Sequence, residues 1–283
     1  MERFQYERPK TKDSLVARLA ELDGKARLLA GGTDLIGQLR ARLIRPQLVL
    51  DLKGVEELHR LEAGPSGLAI GAAVILNRLL EERAVTEGYR ALTQAVADLA
   101  SYTVRNRATL VGNVTNASPC ADTVPPLCVL GARVELAGPS GTRELPVQDF
   151  ICGVREVKLG RGELVTRVLV PPVAPGTWSG FAKRKRVKGH DLALANAALL
   201  RDVERKQLRL SIGSCNPTPV VVDLDDMFAR PDEQEAVRRA EQQVHPIDDV
   251  RASIEYRREM VGMMVRRLLA EMAGATKSAV AAR

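Results

Sequence analysis

Apolar residues recur at helical spacing in several stretches of the chain and form short runs or alternations in others. In "SLVARLAEL" (14–22), Leu15, Leu19 and Leu22 share one helical face, with Asp13 or Ser14 placed to cap it. "KARLLA" (25–30) reads as a short strand. "TDLIGQLRARL" (33–43) puts Leu35, Leu39 and Leu43 on one face behind a cap at Thr33 or Asp34, and "QLVLDL" (47–52) reads as a buried strand. The first fifty residues therefore predict helix, strand, a Gly31-Gly32 turn, helix and strand.

Two hairpins follow from turn chemistry. Gly64-Pro65-Ser66-Gly67 and the identical letters at 138–141 each separate two short extended runs. Residues 89–100 predict a helix, and "ELVTRVLVPP" (163–172) a strand ended by two prolines. "GTWSG" (176–180) marks a domain boundary, beyond which "FAKRKRV" (181–187) and "QLRLSIGSC" (207–215) are extended. A final amphipathic helix spans 248–273, with Ile254, Val261, Val265 and Leu268 on one face. Hairpins and helices without regular alternation point to an α+β fold and not to a doubly wound sheet. Between the helix at 89–100 and the second hairpin lies a polar stretch, 101–126, rich in Asn, Thr, Ser and Pro. It reads as a long loop, a class that is usually functional when its charge is low.

Composition narrows the function. The 283 residues are enough for two domains or one large one, and 45% of them are hydrophobic. Aromatic residues make up only 3%, which argues against a reader of single-stranded nucleic acid. The formal charge of +7 leaves an anionic ligand open. "KRKRVK" (183–188) is a weak nucleic-acid signal and an ordinary strand with one solvated face. No apolar run is long enough to span a membrane, and "MERFQYERPK" has no apolar leader, so a cytoplasmic protein is expected. The cysteines at 120, 128, 152 and 215 show no C-x-x-C spacing and are read as reduced thiols; no metal site is assigned. A redox role for Cys120 stands beside plain packing. The histidines at 59, 190 and 245 are scattered, and no catalytic residue is assigned.

Two glycine-bearing bends carry the chemistry. A strand running into Gly31-Gly32 and then a helix offers unpartnered backbone N–H groups to an anion such as phosphate; a tight packing turn is the plain alternative. "RNRATLVGNVTNASPCADT" (105–123) concentrates short hydrogen-bonding side chains that let backbone approach a ligand, and Asp122 could accept from ribityl or ribose hydroxyls.

These two bends resemble a known family. "LLAGGTDLI", then "RNRATLVGNVTNASPCADTVPPLCVLGARVEL", "GELVTRVLVP", "FAKRKRVKGHDLALANAAL" and "RASIEYRREMVGMMVRRLL" occur in the order found in the FAD-binding medium subunits of molybdenum hydroxylases. That family includes the flavin subunits of carbon monoxide, xanthine and nicotinate dehydrogenases. The resemblance implies a two-part FAD-binding domain, 1–175, with subdomains of about 1–57 and 58–175, and a smaller C-terminal α/β domain, 176–283. It places the diphosphate on Ala30, Gly31, Gly32, Thr33 and Asp34, with Leu29 and Leu35 at the margins. It puts Thr109, Leu110, Val111, Gly112 and Asn113 around the flavin and ribityl group, with Ser118 and Asp122 nearby. Leu164 or Val165 is expected against the ring and Lys183 close to the cofactor. The family has two glycines where this chain has Val111-Gly112, so either the backbone there is ordinary or the loop stands further from the flavin.

The resemblance also implies partners: a molybdenum–pterin catalytic subunit and a subunit carrying two [2Fe–2S] clusters. Electrons would reach FAD here and leave to NAD, a quinone or another carrier. A flavin-free structural subunit and a basic nucleic-acid-binding module are the alternatives.

Overall fold

A computed structural model describes residues 2–22 and 24–281, with side chains through residue 275. The first fifty residues form a three-stranded parallel sheet in the order Gln5–Glu7, Leu48–Asp51, Ala26–Leu29. Helix Lys12–Glu21 crosses over between the outer strands and buries Leu15 completely. Its cap is Thr11, one residue ahead of its first turn, whose hydroxyl accepts from the Ser14 N–H at 3.2 Å, so neither Asp13 nor Ser14 is the capping residue.

The second predicted helix is shorter than its periodicity suggests, Leu35–Arg40. Arg42 turns left-handed at φ +57°, and the Leu43 N–H closes on the Gln38 carbonyl at 3.0 Å, a helix-ending geometry. Leu43 is consequently 75% exposed and not part of the buried face. Asp34 precedes this helix without capping it, because its carboxylate is engaged elsewhere.

Both hairpins form: Leu61–Gly64 with Gly67–Gly71, and Arg133–Gly138 with Gly141–Pro146. They share one antiparallel sheet, joined by the strand Leu164–Val170, which pairs with Gly67–Gly71 on one side and Arg133–Gly138 on the other. A register shift between Val165 and Arg167 marks a bulge in that central strand.

The stretch 101–126 is not a loop without structure of its own. It folds into Tyr102–Arg105, Leu110–Thr115 and Val124–Val129. Ser101 and Thr109 cap the first two through their hydroxyls, and prolines occupy the start of the third. These helices are too short to show an amphipathic period, and their polar caps imitate loop composition.

Beyond residue 176 the chain makes a four-stranded antiparallel meander, Trp178–Arg184, Ala195–Asp202, Gln207–Gly213 and Val220–Asp223. Helices Glu233–Gln243 and Ile254–Ala281 cover one face, burying Ala182, Ala197 and Leu199 against Val261, Val265 and Leu268. Phe181, Ala198 and Leu200 alternate to the other face and join the core of the preceding domain. The Gln94 side chain accepts the Phe181 N–H at 2.9 Å, and the Ser179 hydroxyl accepts the Ala91 N–H at 3.1 Å, tying helix Arg90–Asp98 to this sheet.

The last helix begins at Ile254 and not at 248. The residues before it form a turn around Asp249, which accepts from the Arg251 and Ala252 N–H groups and from the buried Arg257 guanidinium at 2.8 Å. No helix among the described residues is long and apolar enough to cross a membrane.

Candidate cofactor site

The first bend leaves the parallel sheet at Ala30. Lys53 fixes it, donating to the Ala30 carbonyl at 3.0 Å and to the Asp51 carboxylate at 2.6 Å. The Tyr6 hydroxyl adds a bond to Asp51 at 2.5 Å. Burial pushes the Asp51 carboxyl up, but the bonds from Lys53 and Tyr6 outweigh it and hold the group below the ordinary carboxylate range.

Gly31 answers why the turn needs bare backbone. A Cβ there would overlap the Arg107 carbonyl oxygen and stand 2.9 Å from the Ala108 Cα. The first bend therefore rests directly on the chain leading into the second. Gly32 adopts φ +77°, a region that side chains disfavour. Among the described residues, no backbone acceptor outside the strands and helices takes the N–H of Gly31, Gly32 or Thr33.

The second bend is the start of helix Leu110–Thr115. Thr109 is buried, and its hydroxyl accepts the Gly112 N–H at 3.0 Å. A Cβ on Gly112 would crowd that hydroxyl at 2.9 Å. The Thr123 hydroxyl donates to the Asn113 side-chain Oδ1 at 2.7 Å and orients that amide. Val111 sits in ordinary helical backbone with its side chain 4% exposed, so the departure from the Gly-Gly pattern leaves the bend unstrained.

Between the bends lies a cavity of about 630 Å³, within the ~300–1,000 Å³ typical of small-molecule sites. Ala30, Gly31, Gly32, Thr33, Asp34 and Leu35 line it from one side. Thr109, Val111, Gly112, Asn113 and Val165 line it from the other. The segment 159–163 forms a third wall that the sequence did not disclose. Glu163 shapes it, accepting from the Gly160 N–H at 2.5 Å and from Arg143 at 2.7 and 2.6 Å. Asn116, Gln38 and Arg27 also face the cavity. Unpartnered N–H groups at one bend suit a diphosphate. Short polar side chains at the other suit a polyol, and Val111, Val165, Ala72 and Leu52 offer apolar cover.

The remaining predicted residues lie outside this lining. Leu29 and Leu110 flank the bends, and Leu110 and Leu164 are fully buried. Ser118 borders a separate small recess. Asp122 and Lys183 meet each other at 2.6 Å, their side chains 6% and 1% exposed. The Asn196 amide donates to the second Asp122 oxygen at 3.0 Å. Burial raises the Asp122 carboxyl, opposed by the Lys183 ammonium and the Asn196 amide.

The neighbours of Lys183 are equally committed. Lys185 pairs with Asp98 at 2.6 Å, and Arg184 donates to the Tyr256 hydroxyl at 2.8 Å. The first three basic residues of the run are therefore each engaged within the chain. Cys120 accepts from Arg251 at 3.7 Å.

Comparison with known proteins follows the same division of the chain. Residues 2–173 match the family described as "FAD binding domain in molybdopterin dehydrogenase". Residues 180–272 match "CO dehydrogenase flavoprotein C-terminal domain". The carbon monoxide dehydrogenase medium chain of Hydrogenophaga pseudoflava is 29% identical over 275 residues, covering 94% of this chain and 96% of that one. The glyceraldehyde dehydrogenase medium chain of Sulfolobus acidocaldarius is 30% identical over 285 residues, covering 95% and 98%. Among solved structures, reconstituted CO dehydrogenase from Oligotropha carboxidovorans superimposes with a TM-score of 0.88 at 28% identity, covering 95% of this chain and 97% of that one.

Proposed function

Since this chain belongs to the family of FAD-binding domains of molybdopterin dehydrogenases, we propose that it relays electrons through FAD held between its two glycine bends. It is the FAD-binding medium subunit of a molybdenum hydroxylase, and so an oxidoreductase subunit. The observation that carries the relay reading is the convergence of both bends on one cavity, with Gly31 packed on the Arg107 backbone.

The residues fit FAD. The N–H groups of Gly31, Gly32 and Thr33 would take the diphosphate. Thr109, Asn113 and Asn116 offer partners to the ribityl hydroxyls, and Val111 and Val165 lie on the cavity wall as apolar support for a ring system. The chemistry supplied when FAD is bound is redox, with no acid or base demanded of the protein. This chain's part is to bind, orient and exclude water from one side. Lys183 and Asp122 act one layer behind, as a buried pair that fixes the Cys120–Val124 segment to the strand Trp178–Arg184. The division at residue 175 separates the FAD-binding part from a C-terminal domain that stiffens it.

The donors we assign are [2Fe–2S] clusters on one partner subunit, supplied by a molybdenum–pterin centre on another. The acceptor is an external carrier such as NAD or a quinone. The two medium-chain relatives belong to dehydrogenases of different substrates, carbon monoxide and glyceraldehyde. The substrate is accordingly assigned to the molybdenum subunit and not to this one.

The test is flavin stoichiometry and bleaching. Purified protein should carry one FAD per chain, and a reduced [2Fe–2S] partner should bleach its absorbance until acceptor is added. Gly32→Leu should expel the flavin. A protein that neither carries nor takes up FAD would instead be a structural subunit of such a complex.

A further inference from the structure

Arg155 lies far in sequence from both glycine bends, yet its side chain reaches both. It sits in the two-residue connection of a small hairpin, Ile151–Gly153 with Glu156–Val157. Its backbone is left-handed at φ +62°, a costly conformation for a residue with a side chain. Its N–H is anchored on the Ala117 carbonyl at 2.9 Å, and Ala117 is itself left-handed at φ +45°. From that anchor one guanidinium nitrogen donates to the Asn116 side-chain oxygen and to the Asp34 carboxylate, the latter at 3.3 Å. Asn116 ends the second bend's helix and Asp34 ends the first bend, and both line the cavity.

Asp34 poses an electrostatic problem if the cavity takes a dinucleotide. Its carboxylate follows directly on the three N–H groups that suit a diphosphate, and like charges in proximity oppose binding. It does not cap its own helix. We propose that Arg155 is a positioning residue that neutralises Asp34 and straps the two rims together, so that the first bend can accept an anionic diphosphate. This inference rests on the FAD reading above. As a surface ion pair, with side chains 50% and 51% exposed, Arg155–Asp34 contributes little to the fold alone. Its consequence falls on ligand binding.

The test uses the full chain stripped of flavin and titrated with FAD, following quenching of flavin fluorescence at low and high salt. Arg155→Met should weaken FAD binding on the order of tenfold at low salt, and less at high salt. Arg155→Lys should retain most of the affinity. Asp34→Asn should tighten binding, and Asp34→Asn with Arg155→Met should return it close to the wild-type value. Unchanged affinity in Arg155→Met, or a double variant as weak as Arg155→Met, overturns the proposal. Weakened binding in Asp34→Asn also overturns it, even if Arg155→Met fails to fold. Wild-type protein that takes up no FAD would instead overturn the FAD reading itself, which separates the two failures.

Discussion

Replacing Lys183 with methionine should be the most damaging single change to the core that supports the site. Lys183 is 1% exposed at its side chain, and its ammonium lies 2.6 Å from Asp122 and 3.4 Å from the Asp98 carbonyl. Methionine keeps the chain length and leaves Asp122, 6% exposed, with Asn196 as its side-chain donor. Breaking a buried pair by removing one partner costs about 3–5 kcal/mol. At ~1.4 kcal/mol per decade, that lowers the folding constant roughly a thousandfold.

The loss should depend on pH, and the sign is fixed. Burial already raises the Asp122 carboxyl, and removing Lys183 raises it further. A carboxyl whose folded pKa is raised penalises the folded state above that pKa. The penalty fades as pH falls toward the unfolded value of about 4. Urea titrations of flavin-free protein, followed by far-ultraviolet circular dichroism at pH 8 and pH 5, should therefore show a larger deficit at pH 8. Adding Asp122→Asn should recover most of it, because a neutral pair carries no stranded charge. A deficit below about 1 kcal/mol, the value of an exposed pair, or one equal at both pH values, would refute the reasoning.

Gly31→Ala forces a methyl against the Arg107 and Ala108 backbone, so the bends must separate. We expect a stability loss of about 1–3 kcal/mol and flavin content well below one per chain, read by absorbance after gel filtration. Val111→Gly removes a buried side chain from a helix and from the cavity wall, and should cost about 2–3 kcal/mol in a thermal melt and lower flavin retention after gel filtration. Burial pushes the Asp249 carboxyl up, but the Arg251 N–H and Arg257 guanidinium overcome this and hold it at about 2. Its contribution to stability is thus complete above pH ~4 and is lost as the medium approaches its folded value. Asp249→Asn should flatten that part of the acid unfolding curve.

Hydrophobic periodicity disclosed the helix near Leu15, the parallel strands near Leu28 and Leu50, and the strand at 164–170. Repeated Gly-Pro-Ser-Gly turns disclosed both hairpins. Where local signals were weak, the reading failed for physical reasons. The helices at 102–105, 110–115 and 124–129 are each shorter than two turns, the first two capped by Ser101 and Thr109 and the third opened by prolines, so their composition is that of a loop. Periodicity puts Leu43 on the face of Leu35 and Leu39 because it does not register the left-handed exit at Arg42.

In the site, the family resemblance pointed to Gly31, Gly32, Gly112 and Asn113, and all four line one cavity. The wall at 159–163 depends on the Arg143–Glu163 pair, two residues twenty positions apart with no local pattern. Arg155 escaped for the same reason, since its partners are 39 and 121 residues away.

The strand Leu164–Val170 has a further consequence. It is the middle of five strands and the last of them to leave the ribosome. Until it appears, Gly67–Gly71 and Arg133–Gly138 each present an open edge with no neighbour on that side. Assembly of the nascent polypeptide must wait for a pairing, Val168 with Ile70, between strands roughly a hundred positions apart, a slow and aggregation-prone arrangement. Polypeptides cut short before Leu164 should be recovered as insoluble material, and the full-length chain should not.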